Sequence, residues 1–72
     1  MTVESHTFPG SSNLALASYD PDTQQMEVTF NNGRRYAATT VPRSFWDGLV
    51  NSPAPGSFYH RHLRGQFAWT ET

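Results

Sequence analysis

Apolar and polar residues alternate most regularly in the middle of the chain, where Met26, Val28 and Phe30 are interleaved with Glu27, Thr29 and Asn31. A two-residue period marks a strand with one buried face. Asn32-Gly33 follows, a pair that tolerates positive φ and so favours a tight hairpin. The chain should return antiparallel from Arg34 to Thr40, with Tyr36 and Ala38 on one face. Upstream, the run Leu14 to Tyr19 reads as a strand that ends at Asp20-Pro21-Asp22. There proline presets φ and the carboxylates accept nearby backbone amides. Residues 1–12 mix polar residues with His6, Phe8 and Pro9-Gly10, and they read as a flexible arm or an edge strand.

The period changes after Val41-Pro42. Proline suits the first helical turn, where its missing N–H has no partner to lose. Phe45 with Leu49, and Trp46 with Val50, are four-residue pairs that lay an apolar stripe against the sheet, with Arg43, Ser44 and Asp47 facing outward. Gly48 within this helix costs about 1 kcal/mol relative to alanine, so packing must hold it. Pro53 and Pro55 break the chain between Asn51 and Gly56. Ser57 is placed to cap a short helix that runs through His62 or Leu63 and stops at Gly65. Gln66 to Thr70 then reads as a last strand, with Phe67 and Trp69 on one face.

These elements predict an α+β fold: an antiparallel sheet of three to four strands, with one main helix and a short second helix packed on one face, in the order β-β-β-α-α-β. Residues 1–12 form the arm and residues 13–70 one domain. At 72 residues there is room for one core only. A chain this short buries about 60% of the surface its unfolded form exposes, which argues against an enzyme-sized cleft.

The chain has no cysteine, so neither disulfides nor a thiolate-held zinc can staple it. Its ten aromatic residues must carry much of the core. No apolar run approaches the ~20 residues of a membrane span, and the N-terminus lacks signal-peptide character. A cytoplasmic location is therefore expected. The formal net charge is −1, and all five fixed positive charges are arginines. That balance disfavours tight nonspecific DNA binding but leaves room for a local patch.

The densest polar group is His60-Arg61-His62 with Arg64, which Arg34, Arg35 or Arg43 could join in space. Arginine forks suit carboxylates, phosphates and aromatic faces alike, and the histidines would add charge under mild acidity. Ordinary solvated charge is the bland explanation of the same residues. His60 and His62 do not share a helix face, so they make a poor metal pair. No nucleophile elbow or oxyanion-hole motif is present, and Asp20 and Asp22 are explained by their turn. Tyr36, Tyr59 and Trp46 are candidates for a stacking or hot-spot surface, with the core the expected place for Trp46.

A set of residues in order resembles one family. Ser11-Ser12-Asn13, Tyr19-Asp20-Pro21, the strand Met26 to Phe30, Asn32-Gly33, Tyr36, Val41-Pro42, Leu49, Gly56, Phe58-Tyr59 and His62-Leu63-Arg64 together resemble the KTSC domain. This short module occurs alone in bacterial and phage proteins and at the C-terminus of some lysyl-tRNA synthetases. The family usually carries Tyr-x-Tyr in its central strand, whereas here Tyr36 is followed by Ala37 and Ala38. If paired tyrosines stack on bases, half of that platform is missing.

The expected function is non-catalytic binding of a macromolecule, without cofactor, metal, membrane or small-molecule substrate. The partner surface would be Arg61, Arg64, His60, His62, Tyr59, Tyr36, Arg34 and Arg43. Near-neutral charge and arginine without lysine resemble a protein interface. The family's stand-alone phage members imply a regulator that binds host RNA polymerase and modulates transcription. The alternative is an RNA-binding module for tRNA or another structured RNA, as its company with the synthetase implies.

Overall fold

The computed structural model describes residues 3–72. Four strands, β1 (Glu4–Thr7), β2 (Leu14–Asp20), β3 (Gln25–Phe30) and β4 (Arg35–Ala38), precede the helices α1 (Arg43–Asn51) and α2 (Pro55–Phe58). A π-helical turn (Tyr59–Leu63) continues α2, and a two-residue strand β5 (Thr70–Glu71) closes the chain. All five strands form one antiparallel sheet in the order β1-β2-β3-β4-β5. The α+β class and the one-sided helical layer are as the sequence pattern predicts, with five strands in place of three or four. Met1 and Thr2, the start of the predicted arm, lie outside the described residues. Residues 4–7 of that segment pair with β2 from Glu4 opposite Tyr19 to Thr7 opposite Leu16, so this stretch is an edge strand and not a flexible arm.

One face of the sheet is buried beneath the helices. Tyr19, Met26 and Ala38 form one cross-strand row on it, and Ala17, Val28 and Tyr36 the next. Leu14 reaches the same face although its parity is wrong for a regular strand. The register shifts between Leu14 and Leu16, and the extra residue, Ala15, reverses the alternation. Trp46, Leu49, Tyr59 and Leu63 meet these rows from the helical side. Full burial of a Leu or Val is worth roughly 1.5–3 kcal/mol, and Leu14, Val28, Val41, Leu49 and Leu63 are all fully buried.

Local chemistry sets the turns. Asp20 Oδ1 accepts the Asp22 N–H at 2.9 Å, while Gln24 takes positive φ (60°) to close the β2–β3 hairpin. The β3–β4 connection differs from the two-residue hairpin expected at Asn32-Gly33. Gly33 alone takes positive φ (88°), with its N–H donating to the Phe30 carbonyl and Phe30 N–H to that of Arg34 (both 2.9 Å). This is a type I turn closed by a left-handed glycine, with Asn32 Oδ1 accepting from Arg34 N–H at 3.0 Å.

The helical region departs further from the pattern. Pro42 is the N-cap of α1 and not its first residue; Ala54 and Pro55, and not Ser57, begin α2. Gly48 has a packing reason. A Cβ there would lie 2.6 Å from Cζ of Phe58, so its absence lets α2 seat against α1. Gln66 to Trp69 do not form a strand. The Leu63 carbonyl accepts from Gln66 N–H (3.1 Å) and from Trp69 Nε1 (2.9 Å), folding the segment back over the π turn. Phe67 then meets Phe45 and Trp69 meets Tyr59, each at 5.2 Å between ring centroids. Only Thr70 and Glu71 remain to pair with β4. Among the described residues, no helix is long and apolar enough to cross a membrane.

Candidate anion-binding cleft

A cleft of about 640 Å³ opens where the β3–β4 turn approaches the π turn. Its lining includes Phe30, Arg34 and Tyr36 from the sheet, Tyr59, His60 and Arg64 from the helical side, and Trp69. The volume falls within the range of small-ligand sites, roughly 300–1,000 Å³. Chain length argues against an enzyme-sized cleft; this one lies at the sheet's end and takes its walls from the core residue Tyr59 and from Phe30, Tyr36 and Trp69, which pack against the core. Ser12, Asn13, Asn31 and Asn32 form its polar rim. Asn31 N–H donates to the Asn13 carbonyl (2.8 Å) and Asn31 Nδ2 to that of Ser11 (3.2 Å), tying the Ser11-Ser12-Asn13 loop to the hairpin.

The π turn explains how Tyr59 and Arg64 come to face the same space. The Arg64 N–H donates to the Tyr59 carbonyl five residues back, at 2.8 Å. The wider turn aligns residues five apart, where an α-helix would align those three or four apart. The aromatic wall is continuous. Phe30 contacts Tyr36 edge-on at 5.8 Å and Tyr59 at 5.2 Å, and Tyr59 in turn contacts Trp69.

The electrostatics favour an anion. The lining carries two arginines and a histidine and no carboxylate. Arg64 has no acidic partner among the described residues. Arg34 lies 3.8 Å from Glu71, but both side chains are largely exposed and such a pair is weak. Tyr36 and then Glu71 raise the pKa of Arg34, keeping it charged. Tyr59 is only 4% exposed, yet its hydroxyl has no hydrogen-bond partner among the described residues and retains solvent contact. Burial pushes that phenol's pKa up while Arg64 draws it down, so at neutral pH it is an O–H donor beside a cation.

The eight residues proposed from sequence divide into three groups. Arg34, Tyr36, Tyr59, His60 and Arg64 converge on the cleft. His62 turns away, its ring 4.8 Å from that of Phe58, and Arg61 is exposed outside the lining. Arg43 is engaged elsewhere, donating through both terminal nitrogens to the Glu4 carboxylate at 2.6 and 2.9 Å. Ala38, where the second tyrosine of Tyr-x-Tyr would stand, is a core position 2% exposed, so its identity leaves the cleft's aromatic wall intact. Trp69, Phe30 and the asparagine rim, whose places in the sequence pattern are strand and turn positions, complete the lining. Among the described residues, no three metal-binding side chains cluster.

The family model for the KTSC domain matches residues 10–67. The chain belongs to the KTSC domain family. The KTSC fold is also that of a solved KTSC domain protein from Yersinia pestis, with a TM-score of 0.86, 22% identity and 99% of both chains covered. Among curated proteins, lysine–tRNA ligases of Nostoc sp. and Nostoc punctiforme are 30% and 29% identical over 63 residues. The match takes in 88% of this chain and 11% of each ligase's length, so the relationship is to a small part of those enzymes.

Proposed function

We propose that this KTSC domain is a non-catalytic RNA-binding module whose contact surface is the cleft between the β3–β4 turn and the π turn. The observation that carries this reading is a lining that combines Arg34 and Arg64 with an aromatic wall and contains no acidic residue. Single-stranded RNA is bound by such a combination, in which cations meet phosphates, rings meet unstacked bases and side-chain amides meet base edges. Kinship with a segment of lysine–tRNA ligases is consistent with an RNA ligand and a cytoplasmic setting.

Two phosphate contacts imply a modest salt dependence. With a slope of about −0.7 per contact, affinity falls roughly sevenfold between 50 and 200 mM salt. The test is fluorescence anisotropy with a set of single-stranded RNAs and with tRNA, comparing the wild type with the double variant Arg34→Glu, Arg64→Glu. Saturable wild-type binding that is lost in the double variant, at unchanged melting temperature, supports the reading. Absence of wild-type binding at low salt refutes it. A protein partner, with host RNA polymerase as the specific candidate, is the competing proposal. It draws on the unpaired edge of β1 and on Val3, 54% exposed beside it. Polymerase subunits retained by the tagged protein after nuclease treatment would favour it.

A further inference from the structure

The cleft contains a group the fold itself does not use. The Tyr59 hydroxyl makes no hydrogen bond within the described residues and keeps solvent contact, so it is a donor open to water or to a ligand. The Tyr59 side chain is held on three sides, by Phe30, Trp69 and His60 at centroid separations of 5.2, 5.2 and 5.6 Å, so its orientation is fixed. Its hydroxyl opens into the space lined by Arg34 from the sheet side and Arg64 from the helical side. Trp69 is positioned too, because Nε1 is bound to the Leu63 carbonyl and the half-buried ring forms part of the same wall. The site therefore offers a prearranged donor, two cations, an aromatic surface and an amide rim.

We infer that the cleft is a mononucleotide site: Arg34, Arg64 and the Tyr59 hydroxyl hold one phosphate group, and the base lies against Trp69 within reach of Asn13, Asn31 and Asn32. This inference rests on the RNA reading and narrows it to one nucleotide held per domain. A doubly charged terminal phosphate satisfies the two arginines and the phenol together, since charge-assisted donors prefer an oxyanion to a neutral acceptor. An internal phosphodiester carries a single charge and leaves one arginine less fully compensated. A terminal nucleotide thus fits better than one within a strand.

Titration of the full chain, followed by two-dimensional amide and indole NMR, tests the inference with four probes: inorganic phosphate, adenosine, the four nucleoside 5′-monophosphates, and a short RNA with or without a 5′-phosphate. The monophosphates should shift the Trp69 indole N–H and the amides from Tyr59 to Arg64, and leave the core Trp46 indole unmoved. Phosphate or adenosine alone should bind at least about tenfold more weakly, since each makes only part of the contacts. Tyr59→Phe keeps the ring and removes the donor, so it should weaken monophosphate binding about tenfold without lowering the melting temperature. Arg64→Gln should do so by a similar factor. No shift at Trp69 with any monophosphate, or wild-type affinity in both variants, overturns the inference. Oligonucleotide binding without monophosphate binding leaves the RNA reading standing and removes the mononucleotide site. Monophosphate binding without oligonucleotide binding supports the site and removes the RNA reading.

Discussion

Two regions of this small domain use the same residue types to opposite ends. Where β1 meets α1, Arg43 grips Glu4 through both terminal nitrogens, Trp46 Nε1 donates to the same carboxylate at 3.3 Å, and the Tyr19 hydroxyl donates to the Val41 carbonyl at 2.6 Å. The Tyr19 and Trp46 rings stack at 5.7 Å. Every polar group named there has a partner within the chain. At the cleft, arginine, tyrosine and tryptophan meet again, but Arg64 lacks an ion partner and the Tyr59 hydroxyl lacks an acceptor among the described residues. The first region spends its polar groups on holding the fold. The second leaves the Arg64 guanidinium and the Tyr59 hydroxyl without a partner among the described residues, and this difference in satisfaction, more than residue identity, separates the two regions.

Charge changes should produce the largest divergence. Arg34→Glu with Arg64→Glu should reduce RNA affinity by about thirtyfold or more at low salt, because each arginine's attraction becomes repulsion. Arg43→Gln should leave that affinity unchanged and lower the melting temperature. Arg61→Gln should alter neither appreciably, since Arg61 lies outside the lining. Anisotropy and thermal melts on one panel of proteins measure both properties, and a strong binding defect from Arg43→Gln alone would erase the distinction between the regions.

The same conservative substitution placed in each region sharpens the contrast. Tyr19→Phe removes the donor to a buried carbonyl and should cost about 1–2 kcal/mol in urea unfolding. Tyr59→Phe breaks no internal hydrogen bond and should change stability by less than about 0.5 kcal/mol. If Tyr59→Phe proved as costly as Tyr19→Phe, its hydroxyl would belong to the fold after all.

The fold was largely legible in the sequence because it follows from periodicity and turn chemistry. Met26 and Val28 alternate as written, Trp46 and Leu49 face the core, and Asp20 and Gly33 terminate their strands as their chemistry requires. The bulge at Ala15 was hidden, since an extra residue in a strand has no compositional sign when the run is uniformly Leu and Ala. The site was only partly legible for a related reason. His60, Arg61, His62 and Arg64 are a cluster in sequence, but the π turn sends His60 and Arg64 to the cleft and the other two away from it. Nothing in the residue types distinguishes a π turn from an α turn. Arg43 misled because its partner, Glu4, stands 39 residues away in the segment read as an arm.

Gly48 links the two regions. Alanine has the better helix propensity by about 1 kcal/mol, yet its Cβ would strike the Phe58 ring, and Phe58 directly precedes Tyr59. Gly48→Ala is expected to destabilise the domain by about 1 kcal/mol net, since overpacking costs roughly 1–3 kcal/mol. It should also weaken ligand binding by displacing the π turn. Adding Phe58→Leu should recover part of the stability by relieving the clash, measured by urea unfolding of the single and double variants.

The smallest effect is a pH dependence confined to the structural region. The hydrogen bonds from Arg43 hold the Glu4 carboxyl below the usual glutamate value near ~4.3, with Trp46 Nε1 contributing and desolvation opposing. A depressed folded-state pKa contributes stability that is complete above the unfolded value and is lost as pH falls through the folded one. The melting-temperature advantage of wild type over Glu4→Gln should therefore be constant above about pH 5 and shrink progressively below about pH 4. In an Arg43→Gln background the same comparison should be nearly flat, because the main cause of the depression is gone. Ligand affinity at the cleft should be insensitive to Glu4→Gln throughout. A Glu4→Gln difference that grew on acidification would mean the carboxylate is strained in its present place, and the Arg43 contact could no longer be counted among the interactions that hold β1 to the helical layer.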